Sequence, residues 1–152
     1  MWSGVTGVRE AVARLRPRLV SHADERGREL LDLPGMPLPD PDVPAPVRFL
    51  PDYDNVLLGH ADRTRIMSPE HRPYLASPNG VVPATFLLDG RVAGTWDVPR
   101  DRRSGGTVTL TVRPFDRPTA AQREELQAEA EGLAELMAAE ADVRLVVVVD
   151  PG

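Results

Sequence analysis

Hydrophobic positions along the 152-residue chain follow two different rhythms on either side of a proline-rich stretch. In the first part, Val8, Val12 and Leu15 recur at helical spacing. Thr6 is placed to cap a helix running through Leu15, with Val5 just before the cap and Pro17 ending it. LVSHA and RELLDL then flank Asp24-Glu25-Arg26-Gly27, where Gly27 can supply the positive φ that closes a β-hairpin. Residues 34–46 hold six prolines in thirteen positions. Proline removes backbone donors and biases its predecessor to extended geometry, so this segment predicts a stiff connector. Beyond it, VRFL and NVLLGH predict short strands around the turn residues Pro51-Asp52-Tyr53-Asp54. Residues 61–81 are polar and broken by Pro69, Pro73, Pro78 and Asn79-Gly80, the pattern of a loop with a helical turn.

Residues 82–115 predict three strands in an antiparallel meander. An Asp89-Gly90 connection sets Leu87 across from Val92, and Phe86 across from Ala93 on the other face. Thr107 to Val112 alternates threonine with Val108, Leu110 and Val112, the period of a half-buried strand. Thr119 and Gln122 form a capping box for a long helix that aligns Leu126, Ala130, Leu133 and Met137 on one face. Glu124, Glu125, Glu129, Glu131 and Glu135 take its solvated side. RLVVVV, residues 144–149, returns as a buried strand stopped by Asp150-Pro151-Gly152.

These elements divide the chain into residues 1–33, the connector 34–46, and residues 47–152. The fold class is α+β. A helix followed by a tight hairpin is the C-terminal half of a winged helix, namely its recognition helix and wing. The first half of that motif is not in this chain. After the connector comes a mostly antiparallel β-sheet, barrel-like, covered by one long amphipathic helix.

Composition narrows the function. Hydrophobic residues make up 41% of the chain, and no apolar run approaches the roughly 18 residues of a membrane helix, so a soluble protein with no membrane partner is expected. The start has no basic-then-apolar leader, which points to the cytoplasm. The absence of cysteine removes disulfides, thiol chemistry and Cys-ligated zinc. Net charge is -5, yet all 18 basic residues are arginine and they are unevenly spread. Residues 1–31 carry six arginines against four acids and residues 99–115 carry four against one, whereas residues 116–152 carry three against nine. A polyanion would be met locally, at the N-terminal segment or the hairpin tip, and repelled by the C-terminal segment.

Candidate contacts follow from that distribution. Arg100, Arg102 and Arg103 precede Ser104-Gly105-Gly106 at the tip of the predicted hairpin, where glycine allows close approach and arginine suits a narrow minor groove. Arg63 and Arg65 alternate on one face if the backbone is extended and, with His60, form a small cationic ridge. The competing reading pairs Arg63 with Asp52, Asp54 or Asp62. His60, Asp62 and His71 have metal-ligand chemistry, but their spacing recurs by chance and one of them sits on a proline-broken loop, so no metal or cofactor is assigned. Trp2 and Trp96 are expected as core anchors. The helix carboxylates have nothing to raise a pKa, and no nucleophile, phosphate-loop or metalloprotease pattern occurs, so no catalytic residue is assigned.

Four segments, in order, carry a resemblance: WSGVTGVREAVARLRPRL, DERGRELLDLP, RFLPDYDNVLLGHADRTRI and NGVVPATFLLDGRVAGTW. Together they resemble the C-terminal portion of the winged-helix DNA-binding proteins that include the AlkZ/YcaQ-like DNA glycosylases. The resemblance implies tandem winged helices, a cationic surface, a DNA-contacting hairpin and a role in bacterial DNA repair. It places Arg9, Arg14 and Arg16 on or just after a recognition helix and Arg26 and Arg28 on its wing, where phosphate contacts are common. The family's glycosylases carry a Gln-x-Gln or Gln-x-Asp pair in an upstream winged helix. This chain has only Gln122 and Gln127. What is expected is a DNA-contacting piece of such a protein, non-catalytic alone, with duplex DNA as partner. Completion by upstream winged-helix domains or a second copy of the chain is expected as well. The alternative is a protein-interaction or dimerisation module with no direct nucleic-acid role.

Overall fold

In the computed structural model, which describes residues 6–76, 79–98, 107–141 and 144–149, the chain forms two compact units, Met1–Val43 and Pro44–Gly152. The first opens on helix α1, Val8–Leu15. Its N-cap is Gly7 at φ 74°, with no side-chain cap hydrogen bond. Thr6 therefore does not cap the helix as expected. The left-handed backbone at the cap costs glycine little and sets the Gly7 carbonyl to accept from Ala11 N at 3.1 Å. Pro17 does not stop the chain at once but lies in a 3-10 turn, Arg16–Arg18, that extends the helix. Strands β1, Val20–Ala23, and β2, Glu29–Asp32, then pair antiparallel with Val20 opposite Asp32 and Ala23 opposite Glu29. The Asp24 carboxylate accepts from the Arg26 and Arg28 amides at 2.9 and 2.8 Å, and Gly27 at φ 72° completes the turn.

The second unit is built on a sheet ordered β3-β4-β5-β6-β7: Arg48–Leu50, Thr85–Leu88, Arg91–Asp97, Thr107–Pro114 and Arg144–Val149. The first four strands are antiparallel neighbours, which includes the expected meander. The last, β7, runs parallel to β6 and is reached through helix α3, Ala120–Ala141. A parallel return needs such a crossover. The capping box forms: Gln122 N donates to Thr119 Oγ1 at 3.2 Å, and Thr119 N donates to Gln122 Oε1 at 3.0 Å. Helix residues Leu126, Ala130 and Ala134 bury against Val47, Phe86, Leu110 and Val112. The sheet stays open, with β3 and β7 at its edges, and does not close as the barrel-like expectation suggested. The helix covers the face that closure would have turned inward.

Two local expectations fail for identifiable reasons. NVLLGH is not a strand: Asn55–Leu58 forms helix α2 because the Asp54 carboxylate accepts from Val56 N at 2.7 Å and caps it. A four-residue apolar run has no periodicity with which to tell the two structures apart. In the hairpin, Asp89 at φ 48° and Gly90 at φ 72° make the predicted tight turn, and Leu87 does face Val92. The register then shifts, so Phe86 faces Gly94, not Ala93. The extra residue in β5 is a bulge that lets the Ala93 carbonyl accept from Phe115 N at 2.9 Å.

Alternation along β4 sends Phe86 and Leu88 to the helix-covered side and Leu87 to the other, where Leu57, Met67 and Val92 form a second buried cluster with Leu75, Val82 and Phe115. Helix α2 and residues 61–76, including a 3-10 helix at Pro69–Leu75, contribute to this cover. Trp96 behaves as an anchor, edge-on to Phe49 at 5.7 Å with Nε1 donating to the Leu50 carbonyl at 2.9 Å. Trp2 lies outside the described residues. No described helix is long and apolar enough to cross a membrane.

Candidate nucleic-acid interface

The arginines of the first unit fall into two groups. Arg9 and Arg14 on α1, with Arg18 on the turn after it, are exposed and form no ion pair among the described residues. Arg16 and Arg28 are committed to local carboxylates. The Arg16 guanidinium forks onto Glu29, with Nη1 to Oε1 at 2.7 Å and Nη2 to Oε2 at 2.6 Å. This bond ties the turn after α1 to β2. Arg28 Nε donates to Asp24 Oδ2 at 2.6 Å, across the hairpin turn. Arg26 is exposed at that turn, its amide on Asp24.

These pairings move the acid titrations. The Arg16 hydrogen bonds, then that from Ser21 Oγ at 2.8 Å, bring the Glu29 carboxyl down from 4.5 to about 2. The backbone N–H of Arg28 is the main cause of the lowered Asp24 value. The folded Glu29 binds its proton more weakly than the unfolded one. Its contribution to hairpin stability is therefore complete above about pH 4.5 and disappears as pH falls toward 2. A carboxyl-detected NMR titration should place the Glu29 midpoint near 2, and Arg16→Ala should return it toward 4.5. An unchanged midpoint in that variant would discard the pairing.

In the second unit the expected cationic ridge of His60, Arg63 and Arg65 does not form. The backbone there is bent: the Asp62 carboxylate accepts from Thr64 N at 3.1 Å and Thr64 Oγ1 at 2.7 Å, and the Arg63 carbonyl accepts from Ile66 and Met67 amides at 3.1 and 2.8 Å. Two side chains two apart share a face only in extended backbone. Arg65 is exposed, whereas Arg63 is half-buried and lines a cavity with Arg72. Nor does Arg63 pair with a carboxylate among the described residues; its Nε donates to the His60 carbonyl at 3.1 Å. Asp54 is the α2 cap. His60 is exposed just beyond α2, not at a strand end.

His71 is drawn elsewhere. Its Nε2 lies 2.9 Å from Asp116 Oδ2 and its ring packs against Phe115 at 5.0 Å. The possible ligands His60, Asp62 and His71 are thus not brought together, and no metal-holding group of three occurs among the described residues. Of the two glutamines, Gln122 caps α3 and Gln127 Nε2 donates to Glu131 Oε1 at 2.7 Å. Arg100, Arg102 and Arg103 lie outside the described residues.

Three arginines matter that the pattern of residues did not single out. Arg18 was hidden by reading Pro17 as the end of the element. Arg72 sits among prolines, where no period reveals a face. Arg91 spans from β5 to the bent segment: its Nη1 donates to the Arg65 carbonyl at 3.0 Å, and its Nη2 lies 3.4 Å from the Thr64 carbonyl and 3.2 Å from Ser68 Oγ. Such long-range pairings leave no local signal.

Comparison with known proteins matches residues 1–136 to the family described as DNA glycosylase AlkZ-like. Among solved structures, the chain is similar to the Streptomyces sahachiroi DNA glycosylase AlkZ at 24% identity and a TM-score of 0.65. That match covers 94% of this chain and 36% of the other, so the chain spans little more than a third of that protein's length. No curated protein matches the sequence.

Proposed function

Because the chain belongs to the DNA glycosylase AlkZ-like family, we propose that it is a DNA-contacting module of the cytoplasm that meets duplex phosphates through arginine and excises no base by itself. The observation that carries this reading is the exposed set Arg9, Arg14 and Arg18, left without carboxylate partners among the described residues while neighbouring Arg16 and Arg28 are neutralised by Glu29 and Asp24. Guanidinium groups that release counterions from phosphate need no partner within the protein. A helix leading into a hairpin is also the order in which a recognition helix and wing occur. The non-catalytic part rests on the glutamines. Excision needs a group that orients water beside the sugar, and Gln122 and Gln127 are spent on the helix cap and on Glu131. Arg100, Arg102 and Arg103, expected from the sequence to contact DNA, belong to the proposal as a second contact. The resemblance adds upstream winged-helix domains as the partners that would carry the reaction.

Fluorescence anisotropy with a short duplex tests the reading. Affinity should fall steeply between roughly 50 and 200 mM salt. Each of Arg9→Ala, Arg14→Ala and Arg18→Ala should weaken binding whatever the DNA sequence and reduce the logarithmic salt slope by about one. Binding indifferent to salt, or none at low salt, removes the DNA claim. A specific observation favours a second reading in that event. No residue of α1 or β1 is buried, and Val8, Leu15 and Leu30 remain 46, 47 and 46% exposed. A chain that ignores DNA and gains mass with concentration in light scattering is an interaction module instead.

A further inference from the structure

Between α2 and the 3-10 helix at Pro69–Leu75, the second unit holds a cavity of about 330 Å³ that the DNA-contact reading does not use. Leu57, Met67, Leu75 and Val82 are among its walls, and Arg63 and Arg72 stand at it with no acidic residue among the described residues of the lining. The size is at the lower end of the roughly 300–1,000 Å³ of small-molecule sites, and an apolar lining with a few convergent polar groups is their usual composition.

The two cations are available. Arg63 uses Nε on the His60 carbonyl, which steadies the side chain and leaves both terminal nitrogens without a partner among the described residues. Arg72 is exposed and unpaired among them. Two guanidiniums lining one cavity give it a positive potential, which favours an anionic ligand over a neutral one. The walls are packed and tied to the sheet. Leu57 and Met67 are 1 and 3% exposed, and the bent segment carrying Arg63 is tied to β5 by Arg91 and by Val92 N donating to the Ile66 carbonyl at 2.7 Å. A preformed cavity avoids the ordering cost of assembling a site on binding.

We propose that this cavity is a binding site for a small organic anion: an apolar, flat or aliphatic body against Leu57, Met67, Leu75 and Val82, with one carboxylate or phosphate head on Arg63 and Arg72. Arginine's planar fork matches either head. The site lies in the second unit and is independent of Arg9, Arg14 and Arg18.

The full chain titrated with 2-naphthoate provides the test, read by methyl chemical shifts and by calorimetry. Shifts should concentrate at the methyls of Leu57, Leu75 and Val82. Affinity should drop about tenfold for Arg72→Gln and for Arg63→Gln, the effect of removing one charged hydrogen-bonding partner. Circular dichroism should show both variants folded, since neither guanidinium pairs with a carboxylate among the described residues. The neutral 2-naphthylmethanol should bind at least as weakly as naphthoate binds the variants, and inorganic phosphate more weakly still. Equal binding of the alcohol and the acid, equal binding by wild type and both variants, or shifts spread over the surface would overturn the assignment. So would inorganic phosphate binding as tightly as naphthoate, which would leave only an ion site. Because DNA binding is measured on other residues, either result can fail while the other stands.

Discussion

Phe86→Ala is expected to lower the unfolding free energy of the Pro44–Gly152 unit by about 3–5 kcal/mol, the usual cost of removing a fully buried ring. Phe86 is 0% exposed and packs in one cluster with Val47, Leu110, Val112, Leu126 and Ala130, so it joins three strands or strand flanks to α3. Phe49, its partner across β3 and β4, sits 5.8 Å away centroid to centroid. Neither sheet nor helix can collapse into the space without breaking the ladder on one side or the Leu126 contact on the other. The cavity term therefore adds to the lost transfer term. Domains of this size have only about 5–15 kcal/mol in hand, so the urea midpoint should move far down. A loss under about 1 kcal/mol, the level of an exposed site, would show that the ring is not the centre of this core.

Gly94→Ala is expected to cost about 3 kcal/mol, at the upper end of overpacking. A Cβ at this position would lie well inside van der Waals contact of Phe86 Cε1 and Cζ and of the Arg113 carbonyl oxygen. Glycine is required here by space and not by a left-handed backbone. The ring of Phe86 lies over its cross-strand partner, and the carbonyl belongs to the adjoining strand β6. The two obstacles respond differently. Phe86→Leu in the same molecule would free the ring side but leave the carbonyl, so the double variant should cost less than the sum of the singles, and more than Phe86→Leu alone. Residues in contact couple in this way. Strict additivity in chemical denaturation would show that the ring is not what excludes the side chain.

The same pair shows where reading the chain succeeds and fails. Asp89-Gly90 specifies a turn with two positive φ angles, and both are found. That local chemistry carries the register only to Leu87 and Val92. One residue further, the bulge at Ala93 is decided by Phe115, more than twenty positions away, whose amide takes the Ala93 carbonyl. The candidate contacts behave alike. That arginine crowds the first segment is visible in the residues, but which of these arginines are spent on Glu29 and Asp24 depends on β1 pairing with β2. Arg63 and Arg65 shared a face only under an assumption of extended backbone, and Asp62 bends it.

By itself the order of residues determined the capped terminal helix, the meander, the tight hairpins, the charge asymmetry and the family. Each of these depends on periods of two or of 3.6, on dihedral preferences, or on motifs read within a few residues. Only the tertiary structure decided the parallel return of β7, the open sheet, the bulge that places Gly94 beneath Phe86, and the cavity where Arg63 meets Arg72. Those features come from pairings between distant segments. Their energy is gained only when both partners are already in place, so no window along the chain contains it.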